Sequence, residues 1–101
     1  MVRIVLVCAA GLSTGLLVEA IKKAASKRGL DISVEAVGVE RLETKINNAD
    51  VVLLGPQIRF REEEIKKIAK VPVAAIDPMT YGTINGEKVL EQALSLCKAN
   101  E

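Results

Sequence analysis

Cys8 closes an apolar run and heads a run of small and hydroxylic residues, V-L-V-C-A-A-G-L-S-T-G-L-L-V. Where a strand gives way to a helix, the first helical turn leaves backbone N–H groups without intrahelical partners, and a ring of such donors accepts an anion. The loop expected to do so runs Ala9, Ala10, Gly11, Leu12, Ser13, Thr14. Its small members let the chain curl around a phosphate, its hydroxyls add donors, and the helix dipole favours negative charge at this end. The same field favours thiolate over thiol, the form that acts as a nucleophile. A phosphoryl group on that sulfur would bring close to two negative charges to the same donors. The competing explanation is a tight strand-to-helix turn whose small residues serve packing alone.

The residues that are missing narrow the chemistry. The chain has no histidine, so neither a Cys-His nor a Ser-His-Asp pair is available, nor a His-ligated metal. Its two cysteines, Cys8 and Cys97, lie at opposite ends of the sequence and make no zinc site. No cofactor is implied. Cysteine-dependent phosphatases carry an arginine five residues beyond the residue that follows their nucleophile, and here that position is Thr14. Without a guanidinium fork to grip the phosphoryl oxygens in the transition state, hydrolysis is poorly assisted and a phosphocysteine would persist.

These groups need a scaffold, and the patterning supplies one. Val2 to Val7, Val51 to Leu54 and Val71 to Ile76 are short, nearly continuous apolar runs suited to strands covered on both faces. Leu16, Leu17, Ala20, Ile21 and Ala24 repeat at one-face helical spacing, and Lys27, Arg28 and Gly29 give that helix a basic last turn and a terminating glycine. Asp31 to Val37 alternates as a half-buried strand. Val39 to Ile46 predicts a weaker helix closed by Asn47 and Asn48. G-P-Q-I-R-F-R is a turn leading into a helix with Ile65, Ile68 and Ala69 inside, and a last helix over Glu87 to Ala99 places Cys97 on its core face.

The order is β-α-β-α-β-α-β-α in one domain spanning 1–101, predicting a small doubly wound four-stranded parallel sheet of order 2-1-3-4 flanked by helices. In such sheets ligands gather at the carboxyl ends of strands, beside the switch in strand order. The Cys8 loop, the Gly55 to Phe60 turn and the Asp77 to Gly82 loop converge there. Half of the 101 residues are hydrophobic, enough for one core without disulfide support. Net charge is +1 and Phe60 and Tyr81 are the only aromatics, so a nucleic-acid partner is not expected. The first apolar stretch is broken by Gly11, Ser13 and Thr14, which reads as a strand and not as a signal peptide, and no run approaches the roughly 20 apolar residues of a membrane span. A cytoplasmic protein is expected.

Three blocks, V-L-V-C-A-A-G-L-S-T-G-L-L-V, A-D-V-V-L-L-G-P-Q-I-R-F and I-D-P-M-T-Y-G-T-I-N-G-E-K-V-L, resemble the signatures of the lactose/cellobiose-type (chitobiose) enzyme IIB component of the bacterial phosphoenolpyruvate-dependent sugar phosphotransferase system. The resemblance covers essentially the whole chain. It implies a low-molecular-weight-phosphatase-like fold and a Cys8 that takes a phosphoryl group from a phosphohistidine of the IIA component. Cys8 would then pass it to a sugar of cellobiose, chitobiose or lactose type held by the membrane-embedded IIC component. The missing histidine then belongs to the partner, and Ala9 to Thr14 become the phosphate cradle. The family often has Met at the position of Leu12 and Ser at that of Gly15, so one hydroxyl donor is absent here.

Further residues are candidates for the pocket or for docking. Gln57 and Arg59 leave the third strand, and a cation at Arg59 would stabilise a transferred dianion; Arg61 reads as surface. Asp77 before Pro78 resembles the general-acid loop of low-molecular-weight tyrosine phosphatases and equally suits a turn. Tyr81 is placed to cover the pocket or to pack at its rim. Exposed apolar residues near the loop, Leu12 and Leu16, suit a docking patch, and nothing demands more than a monomer. The alternative function is a phosphatase or arsenate-reductase-like enzyme using Cys8 and Asp77. A third is a regulatory protein that only binds a partner.

Overall fold

The apolar runs form the strands of a parallel sheet in the computed structural model, which describes residues 1–8, 14–38 and 46–99. The strands are β1 (Val2–Cys8), β2 (Ile32–Gly38), β3 (Val51–Leu54) and β4 (Val73–Ala75), hydrogen-bonded in the order β2-β1-β3-β4. All three pairings are parallel, with Val7 opposite Val37 on one side and Leu54 on the other. The predicted order therefore holds, and the switch in strand order falls between β1 and β3.

Continuous apolar sequence is explained by burial from both sides. Ile4, Leu6, Val51 and Leu53 pack into one cluster with Leu17, Ile21, Val89 and Leu90. Those partners come from α1 (Thr14–Lys27) and from the last helix, Gly86–Ala99. The alternate residues Val5, Val7, Val52 and Leu54 pack on the other face with Ile46, Ala49, Ile58 and Ile65. Every β3 side chain is inaccessible to solvent at 0 %, so a polar substitution there would have no route to water.

Helix ends follow local chemistry. α1 closes as the glycine signal predicts: Gly29 has φ +67, its N–H donates to Ser26 O, and the Leu30 N–H donates to Ala25 O. Just beyond the end of α1, Arg28 reaches Glu91 at 2.7 Å and Glu87 at 3.3 Å on the last helix, and the Glu91 hydrogen bond is the main cause holding its guanidinium above the ordinary value.

Several expectations need correction. The G-P-Q-I-R-F-R segment is a 3-10 stretch, Pro56–Arg61, and the α-helix proper, α2, is Glu62–Ile68. Ile65 is buried, and Ala69 packs against the same cluster although it has left the helix at φ −86, ψ 138, but Ile68 is exposed and does not join the inner face. The Asp77 to Gly82 loop contains a short helix, α3 (Pro78–Gly82), and the last helix is then α4 (Gly86–Ala99). Cys97 is half-buried at the margin of the core, its Sγ 3.9 Å from Asp50 O. The helix predicted over Val39 to Ile46 lies outside the described residues except for a 3-10 turn at Ile46–Asn48. Among the described residues, no helix is long and apolar enough to cross a membrane.

Candidate functional site

Parallel pairing brings three strand ends into one row. The Gly55 N–H donates to Val7 O at 2.8 Å and the Ile76 N–H to Leu54 O at 2.8 Å, so Cys8, Gly55 and Ile76 stand side by side where β1, β3 and β4 finish. Cys8 closes β1 opposite Gly38 and is 3 % exposed, yet it belongs to neither apolar cluster. The cradle expected of Ala9 to Thr14 lies outside the described residues from Ala9 to Ser13, and Thr14 is the first residue of α1. Cys97, near Asp50 ahead of β3, is at the opposite end of the sheet.

Gly55 is the neighbour that sequence reasoning left without a role. A Cβ built on it would lie 3.6 Å from Cys8 Cβ and 2.9 Å from Gln57 Oε1. The Gln57 carboxamide therefore folds back toward the end of β3 beside Cys8. The G-P-Q tripeptide was a visible turn signal, but the backward fold of Gln57 is a contact through space with no trace in spacing.

The other candidates separate by what already holds them. Arg61 is engaged with Glu64 at 2.9 and 3.2 Å, whereas Arg59, exposed, makes no ion pair with another described residue. Asp77 Oδ2 accepts from the Met79 N–H at 3.0 Å and the Thr80 N–H at 3.1 Å, capping α3. It also follows β4, two strand spacings or about 10 Å from Cys8. Tyr81 is half-buried and packs against the cluster on the α1 face. Leu16 at 62 %, Phe60 at 79 % and Met79 at 76 % exposure follow β1, β3 and β4 and line the rim of the carboxyl end.

Such a sheet, with Cys8 at the switch point, defines a small doubly wound α/β domain of the kind that binds ligands at its strand ends. Comparison with known proteins specifies it further. The model of the family "PTS system, Lactose/Cellobiose specific IIB subunit" matches residues 3–92. The oligo-beta-mannoside-specific EIIB component of Bacillus subtilis (strain 168) is 41% identical over 99 residues, covering 95% of this chain and 96% of that protein. The galactose-specific EIIB component of Lactococcus lactis subsp. cremoris (strain MG1363) is 40% identical over 101 residues, covering 92% and 94%. The solution structure of the cellobiose-specific IIB component from Borrelia burgdorferi superposes with a TM-score of 0.81 at 40% identity, covering 97% and 93%.

The chain belongs to the lactose/cellobiose-specific IIB family of the sugar phosphotransferase system. It is a sugar-specific phosphocarrier component, a phosphotransferase that works with IIA and IIC partners. That assignment favours transfer over the hydrolytic alternative built on Cys8 and Asp77.

Proposed function

We propose that Cys8 is the residue that carries the phosphoryl group. Its thiolate attacks the phosphorus of an N-phosphohistidine on IIA; the S–P bond forms as the P–N bond breaks, and the imidazole nitrogen leaves with the bonding pair and takes up a proton. A sugar hydroxyl oxygen held by IIC then attacks phosphorus, the S–P bond breaks, sulfur leaves as thiolate and the hydroxyl proton passes to solvent. Ala9 to Thr14 cradle the phosphoryl oxygens, Arg59 draws the anionic donor toward the rim, and Asp77 and Tyr81 fix α3 beside it.

The observation that supports this reading is the position of Cys8: of the two thiols, it is the one at the carboxyl end of the sheet, beside the switch between β1 and β3. The sugar is of the cellobiose, chitobiose or lactose type, a class supported by the lactose/cellobiose family description and by the similar cellobiose-specific IIB structure. The domain acts as a monomer in the cytoplasm, docking transiently at the inner membrane face. Incubation with phosphorylated IIA, followed by intact-mass measurement, tests the assignment. One added phosphoryl group, absent from Cys8→Ser, is expected; no addition, or an addition that survives the substitution, overturns it.

A further inference from the structure

Glycine at position 55 is not required by the backbone. Gly55 has φ −61 and ψ 152, an extended conformation open to any residue. What a side chain would meet is Gln57 Oε1 at 2.9 Å, with Cys8 Cβ and Val7 O each at 3.6 Å, ordinary contact distances. The vacant space is therefore the space into which the Gln57 carboxamide folds, and the Cys8 side chain borders the same space. No hydrogen bond joins that carboxamide to another described residue, and its two N–H donors and its oxygen are of the kind a polar ligand engages. Gln57 itself is exposed, and no packing role accounts for its folding back.

We infer that Gln57 is a phosphoryl-binding residue, held in place by the missing side chain at Gly55, and that it donates an N–H to an oxygen of the phosphoryl group on Cys8. The inference rests on Cys8 as the carrier. A carboxamide suits a carrier better than an arginine. It is neutral, so it grips the dianion without adding the positive charge that would stabilise a hydrolytic transition state. Which amide atom faces the sulfur is set by the ligand, because a half-turn about the last side-chain bond exchanges oxygen and nitrogen.

The equilibrium of phosphoryl exchange between IIA and this chain isolates such a contact. That equilibrium depends on the stability of the phosphorylated and free forms and not on the encounter complex, so a residue that only docks the partner leaves it unchanged. With purified phosphorylated IIA as donor, Gln57→Ala is expected to shift the exchange about ten-fold toward phospho-IIA, the scale of one hydrogen bond to a charged group. Gln57→Glu is expected to shift it further, by repulsion between carboxylate and dianion. Gly55→Ala displaces a flexible side-chain tip and should reproduce the Gln57→Ala shift, yet add nothing in the double variant.

An unchanged equilibrium in Gln57→Ala, or additive effects of the two substitutions, overturns the inference. If Gly55→Ala does not fold, the Ala and Glu variants at the exposed position 57 still decide it. Loss of labelling in Cys8→Ser, alongside a normal equilibrium in Gln57→Ala, rejects the Gln57 contact alone. Labelling that persists in Cys8→Ser rejects the carrier assignment beneath it.

Discussion

Arg61 and Glu64 close on each other across one helical turn, Nη2 2.9 Å from Oε1 and Nε 3.2 Å from Oε2. The hydrogen bond from Arg61, and then its charge, hold the Glu64 carboxyl below its ordinary value. A folded-state value below the unfolded one means the pair stabilises above the ordinary carboxylate range and ceases to do so as pH falls through the folded value. Both groups are solvated, so the effect is small and screened by salt. Urea midpoints measured from about pH 6 to pH 3 should fall slightly less steeply in Glu64→Gln than in the wild type. A steeper fall in the variant would contradict the pairing.

The same pairing separates two arginines that look alike in sequence. Arg59→Ala should slow phosphoryl transfer from IIA several-fold at low salt, with the difference narrowing at high ionic strength, as expected when a charge steers encounter. Arg61→Ala should transfer at nearly the wild-type rate. Stopped-time mass analysis across a salt series checks both, and equal losses would show that neither arginine is special.

Asp77 caps α3 through two backbone N–H groups. Asp77→Ala should cost about 1 kcal/mol of stability, whereas Asp77→Asn keeps an accepting oxygen and should cost less. Transfer activity should track the folded fraction in both. Loss of transfer in a fully folded Asp77→Asn would instead assign its charge to the chemistry.

Ile84 has φ +53, a left-handed conformation that a β-branched residue adopts at a cost of about 1–2 kcal/mol. Its side chain is half-buried against the α1-face core, so replacing it removes packing of similar size. Ile84→Gly should therefore lie within about 1 kcal/mol of the wild type in urea unfolding, where a half-buried isoleucine in ordinary backbone would lose more. A larger loss would mean the turn is held by the side chain.

Gly86 is glycine for a different reason from Gly55. A Cβ there would fall 2.4 Å from the backbone carbon and oxygen of Ala20, where the start of α4 crosses α1. Backbone cannot swing aside as the tip of Gln57 can. Gly86→Ala should cost about 3 kcal/mol or more, or prevent folding, as measured by urea or thermal unfolding.

How far the sequence carried the argument depended on where each determinant lay. Ile4 to Val7, beyond the exposed Arg3, and Val51 to Leu54 were legible because burial on both faces leaves no polar position to disguise a strand. The closure of α1 was legible because Gly29 supplies a conformation few residues adopt. α3 was missed because five residues hold less than two turns of periodicity, and Asp77-Pro78 signals a turn and a helix cap alike. Ile68 was placed inside because spacing cannot show that the chain straightens at Ala69. The position of Cys8 followed from patterning alone. Its neighbour Gln57 did not, since the space at Gly55 exists only once β1 and β3 lie side by side.

β1 is bonded to a neighbour along both edges, so the backbone at its tip is anchored in the sheet. A phosphoryl group carried by Cys8 as proposed would then sit on a fixed anvil, with reach and timing supplied by the proteins that visit it.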